Sequence, residues 1–273
     1  MNRHGILFAT AMALLAFGAA SSASAGIIQD LAAAEIIEDY QFNDGAGTTI
    51  PAAANSANPG NFLIDDIQGD LAGVTTNGLG ALDASLKSNN ELGNAWSDNH
   101  NIHSGRVLGV MEMTWNFNSA TLNTSENEEL RISLISSGDS FVTAEWEIQR
   151  EDDNTVTILG NGVGTGSSDL AAVTLPGGLT QSMKFIAVVD ADLDNDTYQI
   201  HYSADGGGTF TTMGTANLDP ARIVDKLRIT LNNDLSGDSV LVDRVYLAHI
   251  PEPASGVLLV LGAGLLVAGR RRR

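Results

Sequence analysis

The chain has 273 residues, with 33 Asp+Glu against 14 Lys+Arg, a formal net charge of -19 and no cysteine. That length supplies core for one large β domain or two small ones; the charge repels phosphate backbones and excludes nucleic acid as a partner; the lack of thiols excludes disulfides, thiolate zinc sites and cysteine nucleophiles. Five of the positive charges, Arg3 and Arg270–Arg273, sit at the ends, so the stretch between them is more acidic than the whole, which suits solubility or the holding of divalent cations.

The opening MNRHGILFATAMALLAFGAASSASAG has Arg3 in a short polar lead, an apolar run from Ile6 to Phe17, and small residues ending Ala23-Ser24-Ala25. This layout predicts a secretory signal peptide over 1–25, cut after Ala25, with Ala23 and Ala25 as the small residues of the cleavage site. Signal peptidase and the general secretion machinery are then expected partners. The alternative is a buried N-terminal helix, against which the spacing of the A-x-A site argues.

From Ile27 to Ile250 short period-two runs separated by Gly, Asn, Asp and Ser predict half-buried strands. Helical periodicity is confined to Gln29–Ile37. The first strand is expected over 36–42. In VLGVMEMTWNF, Val107, Gly109, Met111, Met113, Trp115 and Phe117 share one face and Glu112, Thr114 and Asn116 the other. FVTAEWEIQ sets Val142, Ala144, Trp146 and Ile148 opposite Thr143, Glu145, Glu147 and Gln149. TYQIHY and KLRITLN alternate in the same way, and further strands are expected at 130–135, 155–159, 183–189 and 240–248. Gly206, Gly207 and Gly208 permit the positive φ of a hairpin between TYQIHYS and TFTTM. The pattern predicts one all-β domain over 26–250, a single antiparallel β-sandwich or jelly roll.

Several side-chain groups along this body have a chemical reading beside a plain one. His100 and His103 have a spacing that brings two imidazoles to one metal, but they lie in an apparent loop with no third ligand in view. Glu145 and Glu147 project side by side from a strand, as the acid and nucleophile or base of a glycosidase do; the plain reading is strand-face charge. Gly160 to Gly166 lacks the order of a phosphate-binding loop. Asp190, Asp192, Asp194 and Asp196 alternate, which suits Ca²⁺ held by oxygen ligands, the one cofactor the sequence suggests. Asn195 replaces the turn glycine of an EF-hand and His201 its bidentate glutamate, and the alternative is a solvated acidic hairpin loop. Trp115 and Trp146 sit on apolar faces, whereas Trp96 is a candidate surface aromatic.

At the far end, Ala254 to Gly269 is 16 residues without a charge. As a helix it spans ~24 Å, against ~30 Å of bilayer hydrocarbon, a short span aided by tilt and arginine snorkelling. Arg270, Arg271, Arg272 and Arg273 favour the cytoplasmic side, placing 26–250 across the membrane. A core helix is the alternative, and it leaves the arginines unexplained. Pro251 and Pro253 make the approach to this segment stiff and extended.

Pro251-Glu252-Pro253, an apolar helix and a terminal arginine cluster, together 251–273, resemble the PEP-CTERM sorting signal of Gram-negative bacteria. The resemblance implies an exosortase-like membrane enzyme that reads the Pro-Glu-Pro and releases or transfers the protein. It implies export through the cytoplasmic membrane, transient anchoring by the transmembrane helix, and a final place at the cell surface or in the extracellular (biofilm) matrix. Tyr40-Gln-Phe42-Asn-Asp44-Gly45-Ala-Gly47-Thr48-Thr49 resembles the opening strand and turn of laminin G-like, concanavalin A-like jelly rolls. Residues 192–211 are similar to a late hairpin of such domains, and Asp243-Arg-Val-Tyr246 to their closing strand. That fold hosts lectins, glycoside hydrolases, lyases and spacers, so function does not follow from it. The expectation is a non-catalytic surface or matrix protein that binds extracellular polysaccharide or occupies the matrix; the alternative is a secreted glycan-cleaving enzyme on the same scaffold.

Overall fold

The period-two runs become strands because a pleated chain sends alternate side chains to opposite faces, and each run offers one apolar face to bury. The computed structural model describes residues 22–57, 64–65, 71, 73–87, 92–117, 128–136, 141–150, 155–175, 182–232 and 238–250. The first half contains α1 (Ser22–Ala33), β1 (Glu35–Tyr40), β2 (Ile64–Asp65), β3 (Thr75–Thr76), β4 (Leu82–Asp83), β5 (Gly93–Trp96), β6 (Arg106–Asn116) and β7 (Glu128–Ser136). The second contains β8 (Phe141–Arg150), β9 (Val156–Gly162), β10 (Val173–Leu175), β11 (Ser182–Asp192), β12 (Thr197–Ser203), β13 (Thr211–Asn217), β14 (Lys226–Asn232) and β15 (Ser239–Ile250).

These strands form two antiparallel sheets. The eight-stranded one runs β13-β12-β11-β6-β15-β4-β3, with β1 also paired to β15, and the seven-stranded one runs β10-β9-β8-β7-β14-β5-β2. Their inner faces meet in one core, with Met111, Met113 and Trp115 from β6 packed among residues that include Ile132 and Trp146 of the opposite sheet. Gly109 marks one close approach: an added Cβ would stand 3.0 Å from Leu134 and 3.1 Å from Leu227, so a larger residue would push the sheets apart. The expected core faces of β6 and β8 are buried at Val107, Met111, Met113, Trp115, Ala144, Trp146 and Ile148, but at the start of β8, where the register against β7 shifts, Val142 is half-buried and Thr143 is buried instead.

An ion pair is enclosed between the sheets. Arg150, on the core side of β8, meets Asp238, with neither side chain exposed, and the Trp115 indole N–H of β6 donates to the same carboxylate. Register shifts interrupt the pairing of β1 with β15, β7 with β8, β12 with β13 and β6 with β15. β15 is bulged against β6 between Val242 and Arg244, which leaves Asp243 as the extra residue. Just past β1, Phe42 holds φ 51 with its ring fully buried.

The outer face of the eight-stranded sheet is partly apolar, and α1 covers it, with Ile27 and Leu31 packed against Leu108, Val110, Val188, Tyr246 and Ala248. The helix thus begins earlier than the periodicity of Gln29–Ile37 suggests and gives way to β1 at Glu35, where pairing with His249 of β15 begins. Its backbone runs through the expected cleavage position after Ala25. The rest of the expected signal peptide and the whole of the sorting tail, including Pro251, Glu252, Pro253 and Arg270–Arg273, lie outside the described residues. Among the described residues no helix is long and apolar enough to cross a membrane.

Candidate functional site

The most elaborate polar cluster is on the outer face of the seven-stranded sheet. β7 and β8 place Arg131 opposite Glu147 and Ser133 opposite Glu145, while β14 brings Arg228 opposite Ser133. Arg131 lies at the centre, paired with Glu129, 3.6 Å from Glu145 and 3.4 Å from Glu147. Arg228 is 3.1 Å from Glu145, and the Ser133 hydroxyl donates to the same carboxylate at 2.6 Å. Gln149 donates to one oxygen of Glu147, and the Asn161 amide donates to the other at 3.1 Å.

These charges are not solvated strand decoration, since Glu145 is 4% and Glu147 3% exposed. Burial pushes the Glu147 carboxyl above its usual range, against the pull of Arg131 and Gln149, and the neighbouring Glu129 and Glu145 add to the upward push. A buried carboxyl raised in this way beside a second carboxylate has the makings of an acid and base pair. However, both oxygens of each glutamate already lie against protein partners, so neither carboxylate presents a free edge to a substrate.

The four alternating aspartates are dispersed. Asp190 is buried on the outer face of β11, held by both Nε and Nη2 of Arg106, with His201 Nε2 3.5 Å away. Burial raises its carboxyl, but His201 and Arg106 outweigh this and hold it below the usual range. Arg106 also reaches Asp30 of α1 at 2.9 Å, so this pair fastens the helix to the sheet. Asp192 closes the β11–β12 turn by accepting from the backbone N–H groups of Asp194 and Asn195 at 3.2 and 3.1 Å. Asp194 accepts from the Gly105 N–H at 3.0 Å, and Asp196 adopts φ 51 in the turn. Among the described residues no group of three or more acidic or histidine side chains is placed to hold a metal ion.

His100 and His103 also part company. His100 Nε2 is 2.7 Å from Glu38, a fully buried carboxylate that also accepts from the Tyr40 hydroxyl at 2.9 Å, whereas His103 is exposed. Trp96 is half-buried with the Lys226 ammonium 5.4 Å from its ring centroid. Two groupings escaped sequence reasoning: the arginines that neutralise Glu145 and Glu147, and the pairing of Asp190 with Arg106 and His201. The signal for the first was available, because Arg131 and Arg228 stand on the polar faces of two alternating strands.

Residues 249–273 match the PEP-CTERM protein-sorting motif. No curated protein matches the chain. Among solved structures the chain is similar to the CBM2 module of the evolved Dit of Lactobacillus casei BL23 phage J-1, with 11% identity over 79% of this chain and 96% of that one, at a TM-score of 0.54. It is also similar to an endo-1,3-beta-glucanase from Streptomyces sioyaensis, with 14% identity over 79% of this chain and 96% of that one, at a TM-score of 0.51. Lectin II from Ulex europaeus aligns at 11% identity over 78% of this chain and 99% of that one, with a TM-score of 0.46. At such identities the likeness concerns the fold: an antiparallel, concanavalin A-like jelly roll, as the fragments of β1, β12 and β15 led one to expect.

Proposed function

We propose that the protein is an exported surface or extracellular-matrix protein, processed at its C-terminal sorting motif, non-catalytic and polysaccharide-binding. Three parts are assigned: a signal peptide over 1–25, the jelly roll over 26–250, and over 251–273 a tail that anchors the chain until an exosortase-like enzyme reads Pro251-Glu252-Pro253. The observation that carries the reading is the sorting motif at 249–273, joined without a linker to the last strand of a lectin-like fold. The solved structures named above include a CBM2 module, which favours glycan binding by analogy of fold.

The non-catalytic part is supported by Glu145 and Glu147, whose oxygens are taken up by Arg131, Arg228, Ser133, Gln149 and Asn161. The alternative, a glycan-cleaving enzyme, draws on the upward shift of Glu147 and on the likeness to the glucanase. Incubation of the purified protein with a polysaccharide panel separates the two. Binding without release of reducing ends is expected; release that is abolished by Glu147→Gln would establish the enzyme instead.

A further inference from the structure

On the other side of the sandwich, the outer face of the eight-stranded sheet carries a pocket of about 330 Å³ lined by Gln41, Asn43, Gly80, Glu112, Asp243 and Arg244. That volume lies at the lower end of the ~300–1,000 Å³ typical of small-molecule sites. Three departures from regular backbone meet there. The β15 bulge pairs Val242 with Met113 and Arg244 with Glu112, so Asp243 and Arg244, consecutive in sequence, both turn away from the core. Phe42, in a left-handed conformation rare for an aromatic residue, is flanked by Gln41 and Asn43, which both line the pocket. Gly80 has φ +91, and an added Cβ would stand 3.0 Å from the Asn43 side-chain oxygen.

The groups gathered in this way retain hydrogen-bonding capacity. Among the described residues Asp243 receives one hydrogen bond, from the Thr114 hydroxyl at 3.3 Å, and burial holds its carboxyl above the usual range. Glu112 has its nearest cation, Arg244 Nη1, at 3.6 Å. Arg244 gives Nε and Nη2 to Asp39 at 2.7 and 3.1 Å and lies over the Tyr246 ring, 4.5 Å from its centroid. Gln41 donates to Asp39 at 2.7 Å and accepts from Asn43 at 3.1 Å, which leaves each amide a second N–H. Carboxylate acceptors beside amide and guanidinium donors match hydroxyl groups, which both donate and accept. Arg244 faces Asp39 and Glu112, and the Lys184 charge acts on Asp243, so the charges around the pocket are largely matched, which suits an uncharged ligand over uronates, sulfated sugars, phosphates or amino sugars.

We propose that this pocket binds an uncharged hexose unit of a polysaccharide. The inference rests on the polysaccharide-binding reading and adds to it a place, away from Glu147, and a ligand class. The test titrates the full chain in detergent with neutral hexose oligosaccharides, and in parallel with uronate and hexosamine oligosaccharides, followed by calorimetry. Neutral oligosaccharides should bind, and Asp243→Asn should weaken them at least tenfold. Asn43 is exposed, so Asn43→Ala should keep the fold and melting temperature and still weaken binding, while Val163→Ser outside the pocket should leave it unchanged. Neutral glycan binding that survives both pocket substitutions would overturn the pocket and leave the polysaccharide reading standing. A preference for uronates or hexosamines would overturn the ligand class, and no binding by any glycan would overturn both.

Discussion

Replacing Asp238 by alanine tests whether the sheets are joined by a charge that water cannot reach. In the wild type the side chains of Arg150 and Asp238 are both 0% exposed, and Trp115 donates to the same carboxylate. Removing the aspartate leaves a guanidinium in the core and an indole N–H without this acceptor. Breaking a buried pair costs about 3–5 kcal/mol, a large part of the ~5–15 kcal/mol that holds a domain folded. Trp115→Phe removes only the indole donor and should cost less, on the order of 1–3 kcal/mol. The pair between Asp39 and Arg244 is a built-in comparison, because its side chains are 8% and 28% exposed, so breaking it with Asp39→Asn should cost less than breaking the fully enclosed pair. Urea unfolding followed by circular dichroism would measure all three losses. The Asp238→Ala loss should persist in ~1 M salt, since buried pairs are little screened. A loss below about 1 kcal/mol, or one that salt abolishes, would refute the claim that the pair is desolvated.

Asp39 gives a pH prediction: burial raises its carboxyl, but Arg244, Gln41 and Ser56 outweigh this and hold it below the usual range. Its stabilisation is therefore complete above the unfolded value of ~3.9 and is lost as pH falls through the lower folded value. Asp39→Asn should flatten the stability profile in that acid window, as read from urea midpoints, and an unaltered acid limb would count against the pairing. Ile27, on the sheet-facing side of α1, is 2% exposed, so Ile27→Asp should detach the helix and raise binding of an apolar dye; unchanged dye binding would contradict the docking. Glu252→Ala should leave export intact and block processing, so that full-length membrane-bound protein accumulates on immunoblots, whereas normal processing would sink the recognition claim. Replacing Arg270–Arg273 with serine should instead weaken retention, because a span of ~24 Å holds poorly without charged flanks, and fractionation would show protein escaping the membrane.

The strands with strong alternation were legible because local pattern and burial agree there. β8 from Ala144 to Ile148 and β6 from Met111 to Trp115 set apolar residues at every second position against polar ones, and that face enters the core between the sheets; the first half of β6 is apolar on both faces, because Leu108 and Val110 pack under α1. The short strands β2, β3 and β4, two residues each, hold no periodicity to read. The acidic groups were legible as residues but not as environments. Asp190 resembles its neighbours in sequence, yet its partner Arg106 is 84 positions away, and that pairing, made by strand order, decides that it is buried. The β15 bulge was likewise hidden, since Asp243-Arg244 reads as ordinary alternation until register against β6 is known.

Among the described residues β15 is the last strand, and it lies inside its sheet, with β6 along one side and β1 and β4 sharing the other. A chain that emerges N-terminus first must therefore hold three strands in waiting until residue 250 arrives. Among the described residues β1 pairs with β15 and no other strand, so its edge stays open for the whole of that interval, as a template for mispairing. Closure is a terminal event that joins positions some two hundred residues apart, such as Glu35 and His249, which makes it slow on topological grounds. The segment that completes the sheet is also the one that leads into Pro251, so any pull on the tail is applied directly to the seam of the sandwich.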